Sequence, residues 1–151
     1  SLEEFNTRAN EQIRYIKEGY GDQIKVVVAD DNKNEYLSAV VGYEECLEGG
    51  ARCEKCFSLR FSKTLEYAEK NGFDYITTTL TVSPYKNAKL INTIGEELCK
   101  NSKVDWLFSD FKKSKGYLNS IEISKRFGLY RQDYCGCVYS KMEREDAKKR
   151  M

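Results

Sequence analysis

The chain has no histidine in 151 residues. That absence removes Cys/His zinc sites, serine–histidine and cysteine–histidine nucleophile pairs, and the side chain that most often moves protons near neutral pH. No apolar run reaches membrane-spanning length and no signal peptide is visible, so no membrane partner is expected. Internal repeats, low-complexity tracts and linkers are also missing. The length suits one domain with a real core, expected to run over 1–151. Charge is nearly balanced, 25 basic against 24 acidic residues. The balance hides a gradient. Residues 1–50 carry 5 basic and 11 acidic side chains, net −6, and residues 51–151 carry 20 and 13, net +7. The basic portion suits an anionic partner.

What the chain does have is cysteine, six residues, four of them in two tight pairs. Cys53 and Cys56 form a CxxC behind Gly49-Gly50; Cys135 and Cys137 form a CxC around Gly136. Cysteines three apart on a helix share one face and can grip one metal centre or one redox partner together. At a helix start, the unpaired N–H groups and the dipole favour thiolate over thiol. Cysteines two apart chelate from a loop or close a strained, easily reduced disulfide. A lone cysteine is most often a small packing residue. Clustered pairs point to metal or redox chemistry. The two pairs are expected to converge on one site, because a shared site explains why there are two. Six cysteines in a charged chain without a signal read as cytoplasmic thiols or metal ligands rather than a secreted disulfide framework. Cys99 reads as a packing residue and Cys46 is assigned no role.

Apolar spacing and punctuation predict helices over 3–18, 35–45, 52–70, 84–100, 116–127 and 142–150, and strands over 25–29, 74–80 and 104–109. Tyr36, Leu37, Val40 and Val41 are expected on the inner side of the second helix, and Phe57, Phe61, Leu65 and Ala68 on that of the third. Asn71-Gly72 reads as a left-handed helix stop, and Ser83-Pro84 as a helix start with proline at its first position. Strands alternating with such helices imply an α/β class with a parallel, covered sheet. In such sheets ligands bind beyond the carboxyl ends of the strands. That places Asp30-Asp31, residues 77–83, residues 109–115 and the turn at 49–56 on one rim. The adjacent acids Asp30-Asp31 themselves read as a turn or a helix cap.

Two stretches on this rim carry further candidates. Residues 77–86 run off a strand through hydroxyls to a helix start and a lysine, an arrangement suited to an anion or ribose, with Thr78, Ser83 and Lys86 as contacts. The glycines of a Walker loop are absent there. From Asp110 to Arg131 there are six basic residues against two acidic ones. Lys112, Lys113, Lys115 and Arg131 give a phosphate-binding footprint, and Phe111, Tyr117 and Tyr130 could stack on unpaired bases.

The segments EGGARCEKCFSLRF, DYITTTLTVSPYKN, SDFKKSKGY and LYRQDYCGCVYS, in this order and spacing, resemble the QueH-type epoxyqueuosine reductases from residue 1 to about 140. The resemblance implies a three-layer α/β/α Rossmann-like (HUP-like) domain with a mostly parallel sheet, here lacking its first strands and the family's cysteine-rich opening loop. An exposed apolar flank is expected where those strands belong. It implies reduction of epoxyqueuosine to queuosine at the tRNA wobble position, with a 4Fe–4S cluster, an additional iron as a further expectation, and an unidentified electron donor. By position, Cys53 and Cys56 would be cluster ligands. Cys135 and Cys137 would be a redox-active disulfide or ligands of further iron. The partner is the anticodon stem-loop of tRNA, whose wobble base can be splayed into a pocket. Without histidine, Tyr134, Asp110 and Lys86 are the candidate proton donors. Two other classes remain open: a tRNA-binding module with zinc on the four paired cysteines, and an ATP-dependent tRNA-modifying enzyme.

Overall fold

The first helix is set by its own ends. Ser1 caps it, its Oγ accepting the Glu4 amide at 3.3 Å, and Glu3 and Glu4 sit in the first turn where the helix dipole favours acids. This helix, α1, spans Leu2–Tyr20, and Gly21 ends it at φ 58 with its N–H on the Lys17 carbonyl. The computed structural model describes residues 1–30 and 33–150. The other elements are α2 (Lys33–Ala39), α3 (Ala51–Asn71), β1 (Tyr75–Ile76), α4 (Ala88–Cys99), β2 (Asp105–Trp106), α5 (Gly116–Arg126) and α6 (Val138–Lys149). They fall into two compact units. A terminal unit holds residues 1–30 and 121–150, and a middle unit holds residues 33–120. No helix among the described residues is long and apolar enough to cross a membrane.

The middle unit has mixed α/β structure. Its two strands pair in parallel, Tyr75 with Asp105 and Ile76 with Trp106. α3 presents Phe57, Phe61 and Ala68 inward, as its helical stripe requires, and Gly72 closes it in the left-handed conformation. Cys53, Phe57 and Phe61 meet Ile91 of α4 in one core cluster, with Leu80, Ile94, Leu98 and Trp106 packed against it. Ala68, Ile76, Cys99 and Val104 form a second. Cys99 is therefore a packing residue, and burial, then the nearby Asp105 and Glu69 carboxylates, push its thiol pKa up. Gly95 has no room for a side chain: a Cβ there would lie 2.1 Å from the Trp106 ring.

Several boundaries differ from expectation. Residues 25–30 form no strand, and Val26, Val27 and Val28 are exposed by 37%, 54% and 49%. A β-branched run becomes a strand only by pairing, and among the described residues none pairs with it. Asp31 lies outside the described residues. The helix expected over 35–45 starts at Lys33 and stops at Ala39, so Val40 is fully buried while Val41 is 68% exposed. Both longer strands shrink to two residues, and beyond the first of them 79–82 curl into a 3₁₀ turn that Thr78 caps through its side chain. α4 starts at Ala88, not at Pro84. Asn87 is the cap that forms, its side chain accepting the Leu90 amide at 3.1 Å. α6 starts four residues early because Cys137 caps it. The two-stranded sheet leaves Tyr75, Leu107 and Phe108 largely exposed.

Candidate functional site

In the middle unit the site is built around the start of α3. Gly49, at φ 91, turns the chain so that its amide donates to Cys53 Sγ at 3.2 Å. A left-handed conformation of this kind favours glycine. Cys53 is buried and Cys56 half-buried. Between them in function stands Arg52, 2% exposed, which donates to the carbonyls of Glu44 (3.0 Å) and Cys46 and so holds the preceding loop. Glu48 reaches across to Lys86, Oε1 to Nζ 2.6 Å, and Lys86 is itself buried. The Lys86 carbonyl accepts from Lys112 Nζ at 3.0 Å. Asp110 pairs with Lys112 at 3.2 Å and Lys113 at 3.3 Å. Burial pushes the Asp110 carboxyl up, but those two ammonium groups outweigh it and hold its pKa below the ordinary carboxylate value. Glu48, Lys86, Lys112 and Asp110 thus link the loop before α3 to those that follow β1 and β2, while Asp30, expected on the same rim, belongs to the terminal unit.

Its support is a buried polar hub. Asn92 of α4 accepts from Trp106 Nε1 (2.9 Å) and the Ser109 amide (3.0 Å), and donates to the carbonyls of Ala88 (2.8 Å) and Ser109 (2.7 Å). Those four bonds use the whole capacity of the amide. Ser109 Oγ lies 3.1 Å from Thr81 Oγ1, and Thr81 Oγ1 accepts the Phe111 amide at 3.2 Å. The loops that follow β1 and β2 are therefore fixed to each other and to α4.

The expected anion and nucleic-acid contacts divide by burial. Lys86 faces inward on Glu48, Thr78 caps the turn at 79–82, and Ser83 Oγ accepts the Tyr85 amide at 3.3 Å rather than capping α4. Lys113 and Lys115 are exposed, Lys112 and Tyr117 partly buried, and Arg131 exposed. Ser114 and Lys115 both have left-handed backbones (φ 51 and 64) ahead of α5. Gly116 follows where a Cβ would come within 1.7 Å of the Phe111 carbonyl.

In the terminal unit the CGC loop is held by α1. Arg8 donates from Nη1 to the Cys135 carbonyl (2.9 Å) and from Nη2 to the Tyr134 carbonyl (3.1 Å), and its guanidinium lies over the Tyr134 ring at 5.0 Å. Its Nε donates to Glu4 (2.6 Å), which also accepts from Tyr130 Oη at 3.0 Å. Burial would raise the Glu4 carboxyl pKa, but the bonds from Arg8 and Tyr130 prevail and lower it. Tyr130 is pushed up by the same carboxylate. Glu11 accepts the Tyr130 amide at 2.7 Å. Cys137 Sγ accepts the Ser140 amide at 3.3 Å, so this thiol is the cap of α6. Cys135 and Cys137 form no disulfide, nor do Cys53 and Cys56. A cleft of 160 Å³ beside this clamp is lined by Arg8, Glu11, Tyr15 and Tyr130 among others. A larger one, 410 Å³, is lined by Tyr75, Cys99, Asp105 and Trp106 and includes no residue of the thiol loops.

Residue spacing pointed to the cysteines, but Arg8, Glu4, Glu11, Arg52, Glu48 and Asn92 carry no such signal. Each acts through a partner distant in sequence or through burial, as for the buried Asn92. Within each unit, no three Cys, Asp or Glu side chains group as a metal-holding set among the described residues.

Paired cysteines stand at two helix starts, one pair on an α/β unit beside a basic loop, an arrangement suited to thiol or metal–thiolate chemistry. Residues 1–143 match the family described as "Epoxyqueuosine reductase QueH", and the chain belongs to that family. It is 41% identical over 141 residues to the epoxyqueuosine reductase QueH of Streptococcus pyogenes serotype M1, covering 91% of this chain and 55% of that protein. The Staphylococcus aureus (strain Mu50) protein of the same name is 37% identical over 142 residues, 94% of this chain and 55% of its own length. The one from Thermotoga maritima is 38% identical over 112 residues, 74% and 58% respectively. The chain spans about half the length of the curated relatives it matches.

Proposed function

We propose that the complete protein reduces epoxyqueuosine in tRNA to queuosine, using a thiolate-bound iron–sulfur cluster. The observation that carries this reading is the Cys53–Cys56 pair at the start of α3, with the Gly49 amide aimed at Cys53 Sγ, in a chain of the QueH family. The two thiolates lie about one helical turn apart and fit half of the four-cysteine set that a 4Fe–4S cluster takes. The remaining ligands would come from the rest of the full-length protein, and Cys135 and Cys137 would serve as a redox-active pair. When bound, such a cluster supplies low-potential electrons one at a time. Opening the epoxide to an alkene takes two electrons and two protons and releases water, so an external electron donor is required.

The chain's own residues have three tasks in this scheme. Arg52 and Glu48 hold the loop that leads into Cys53. Lys113 and Lys115, exposed next to the start of α5, take up phosphates of the anticodon stem-loop, while Tyr117 offers a ring to an unpaired base. Proton donation falls to Tyr134 or Asp110. Asp110 is held ionised by Lys112 and Lys113, which favours Tyr134 for this role. Lys86, buried on Glu48, serves the thiol loop rather than the substrate. The finer fold reading, a three-layer Rossmann-like domain, belongs to the same proposal and draws support from the parallel pairing of β1 and β2.

The test is mass spectrometry of nucleosides from tRNA treated anaerobically with the full-length protein. Conversion of epoxyqueuosine to queuosine is expected. Cys53→Ser and Cys56→Ser should lose iron and activity together. Lys113→Ala with Lys115→Ala should keep iron and bind tRNA more weakly, with a shallower salt dependence. Colourless protein holding zinc, with epoxyqueuosine untouched, refutes the reductase in favour of a structural-metal tRNA-binding module.

A further inference from the structure

Arg8 has no place in the chemistry above, yet it is bonded to two backbone carbonyls of the CGC loop. Its two terminal nitrogens meet two successive carbonyls, those of Tyr134 and Cys135, while its Nε is held by Glu4. Successive carbonyls rarely point the same way in extended chain, so the backbone must turn here. Gly136 follows at φ 125, and a Cβ on it would stand 2.8 Å from Arg8 Nη1. The turn, the glycine and the guanidinium are therefore one fitted arrangement. It joins two cysteines that form no disulfide, of which Cys137 is further fixed as the cap of α6.

We propose that Arg8 is a positioning residue that holds the Cys135–Gly136–Cys137 loop in its dithiol form. The inference rests on the reading that this pair takes part in redox chemistry. Closing the pair to a disulfide requires the loop to contract around Gly136. The carbonyls that Arg8 fixes are those of Cys135 and its neighbour, so closure breaks or bends the clamp. Whatever binds one of two states better stabilises that state. Two charge-assisted hydrogen bonds in one planar fork are the means, and the fork is what a lysine lacks. Glu4 holds the guanidinium in plane, and Tyr130 holds Glu4 in turn.

The experiment is thiol–disulfide equilibrium with glutathione, on the complete iron-free protein at one fixed pH and without tRNA. In the reaction the two thiols of the loop form one S–S bond and lose two protons and two electrons. One glutathione disulfide is split to two thiols and takes them up. The oxidised fraction is read by acid trapping and mass spectrometry of the peptide containing residues 135 and 137. Loss of even one charge-assisted bond should move the equilibrium constant about tenfold or more. Arg8→Lys and Arg8→Gln are both expected to shift it towards the disulfide by that factor, with lysine giving no rescue. An unchanged equilibrium in both variants overturns the proposal, even if their melting temperatures fall, because a merely structural arginine would lower only the latter. A lysine variant that behaves as wild type overturns the fork argument, and a pair that never closes in any variant overturns the whole. Because neither iron nor tRNA enters the measurement, failure of the reductase assay would not be mistaken for failure of this one.

Discussion

Replacing Asn92 by alanine should do more harm than its single short side chain suggests. Asn92 is 1% exposed and its amide is fully used, two bonds accepted and two donated. Asn92→Ala strands the Trp106 indole N–H and the Ser109 amide as donors and the Ser109 carbonyl as an acceptor. Each buried polar group left without a partner costs about 1–3 kcal/mol, and water entering the vacated space recovers part of it. A loss of roughly 3–5 kcal/mol is expected, a large share of the ~5–15 kcal/mol that holds a typical domain together. The reporter is built in, since Trp106 is the chain's single tryptophan. Urea unfolding followed by its fluorescence gives the stability, and a red-shifted native emission should show the indole loosened from the Phe61 ring, now 5.0 Å away. Asn92→Asp keeps the acceptors and loses the donors, setting an anion against two carbonyls. It should be comparably harmful at neutral pH and recover as acid protonates the carboxyl and restores a donor. A loss below about 1 kcal/mol for the alanine variant with unshifted emission would refute the hub as the support of the rim.

Gly95→Ala forces a methyl group into the Trp106 ring and should cost at least about 1–3 kcal/mol, seen as a lower thermal midpoint; an unchanged midpoint would mean that α4 slides freely. In the Glu48–Lys86 pair, Glu48→Gln should destabilise more than Lys86→Met, because the ammonium is 8% exposed and the carboxylate, 34% exposed, can rehydrate; denaturation of both variants decides the order. Glu4 has a carboxyl pKa depressed below its ordinary value of 4.5, so its contribution is complete above that value and is lost as pH falls through the depressed one. Glu4→Gln should accordingly flatten the acid limb of the stability curve, and an unaltered limb would count against the clamp.

How far the sequence could be read depended on where each signal lived. α3 was legible from both ends: its aromatic stripe has helical spacing and Gly72 is a local stop, so neither needs the rest of the chain. The parallel pairing of β1 and β2 followed from the alternation of elements. The strand expected at 25–29 was misplaced because three valines in a row say only that the run prefers a pleated surface, not that a partner is at hand. Pro84 misled for a related reason. Proline fits the first turn of a helix, but Asn87 offers a side-chain acceptor that Ser83 instead spends on Tyr85. At the site, the cysteines, Lys86 and Asp110 stood out by type and spacing. Arg8 and Glu4, one helical turn apart, carry no signal in the sequence that sets them apart. Only the fold brings Tyr130 and the CGC loop to them.

Cys137 caps the first turn of α6 and, on the function proposed above, also takes part in sulfur chemistry. A reagent that takes the sulfur therefore also releases the Ser140 amide, and chemistry at one atom is transmitted as fraying along a helix. This makes the choice of substitution at that position consequential. Alanine would remove the thiol and the cap together and confound the two, whereas serine, among the best of caps, would remove the thiol and leave the helix its anchor. The difference between those two variants is a direct measure of how much of the behaviour of this loop is chemical and how much is mechanical.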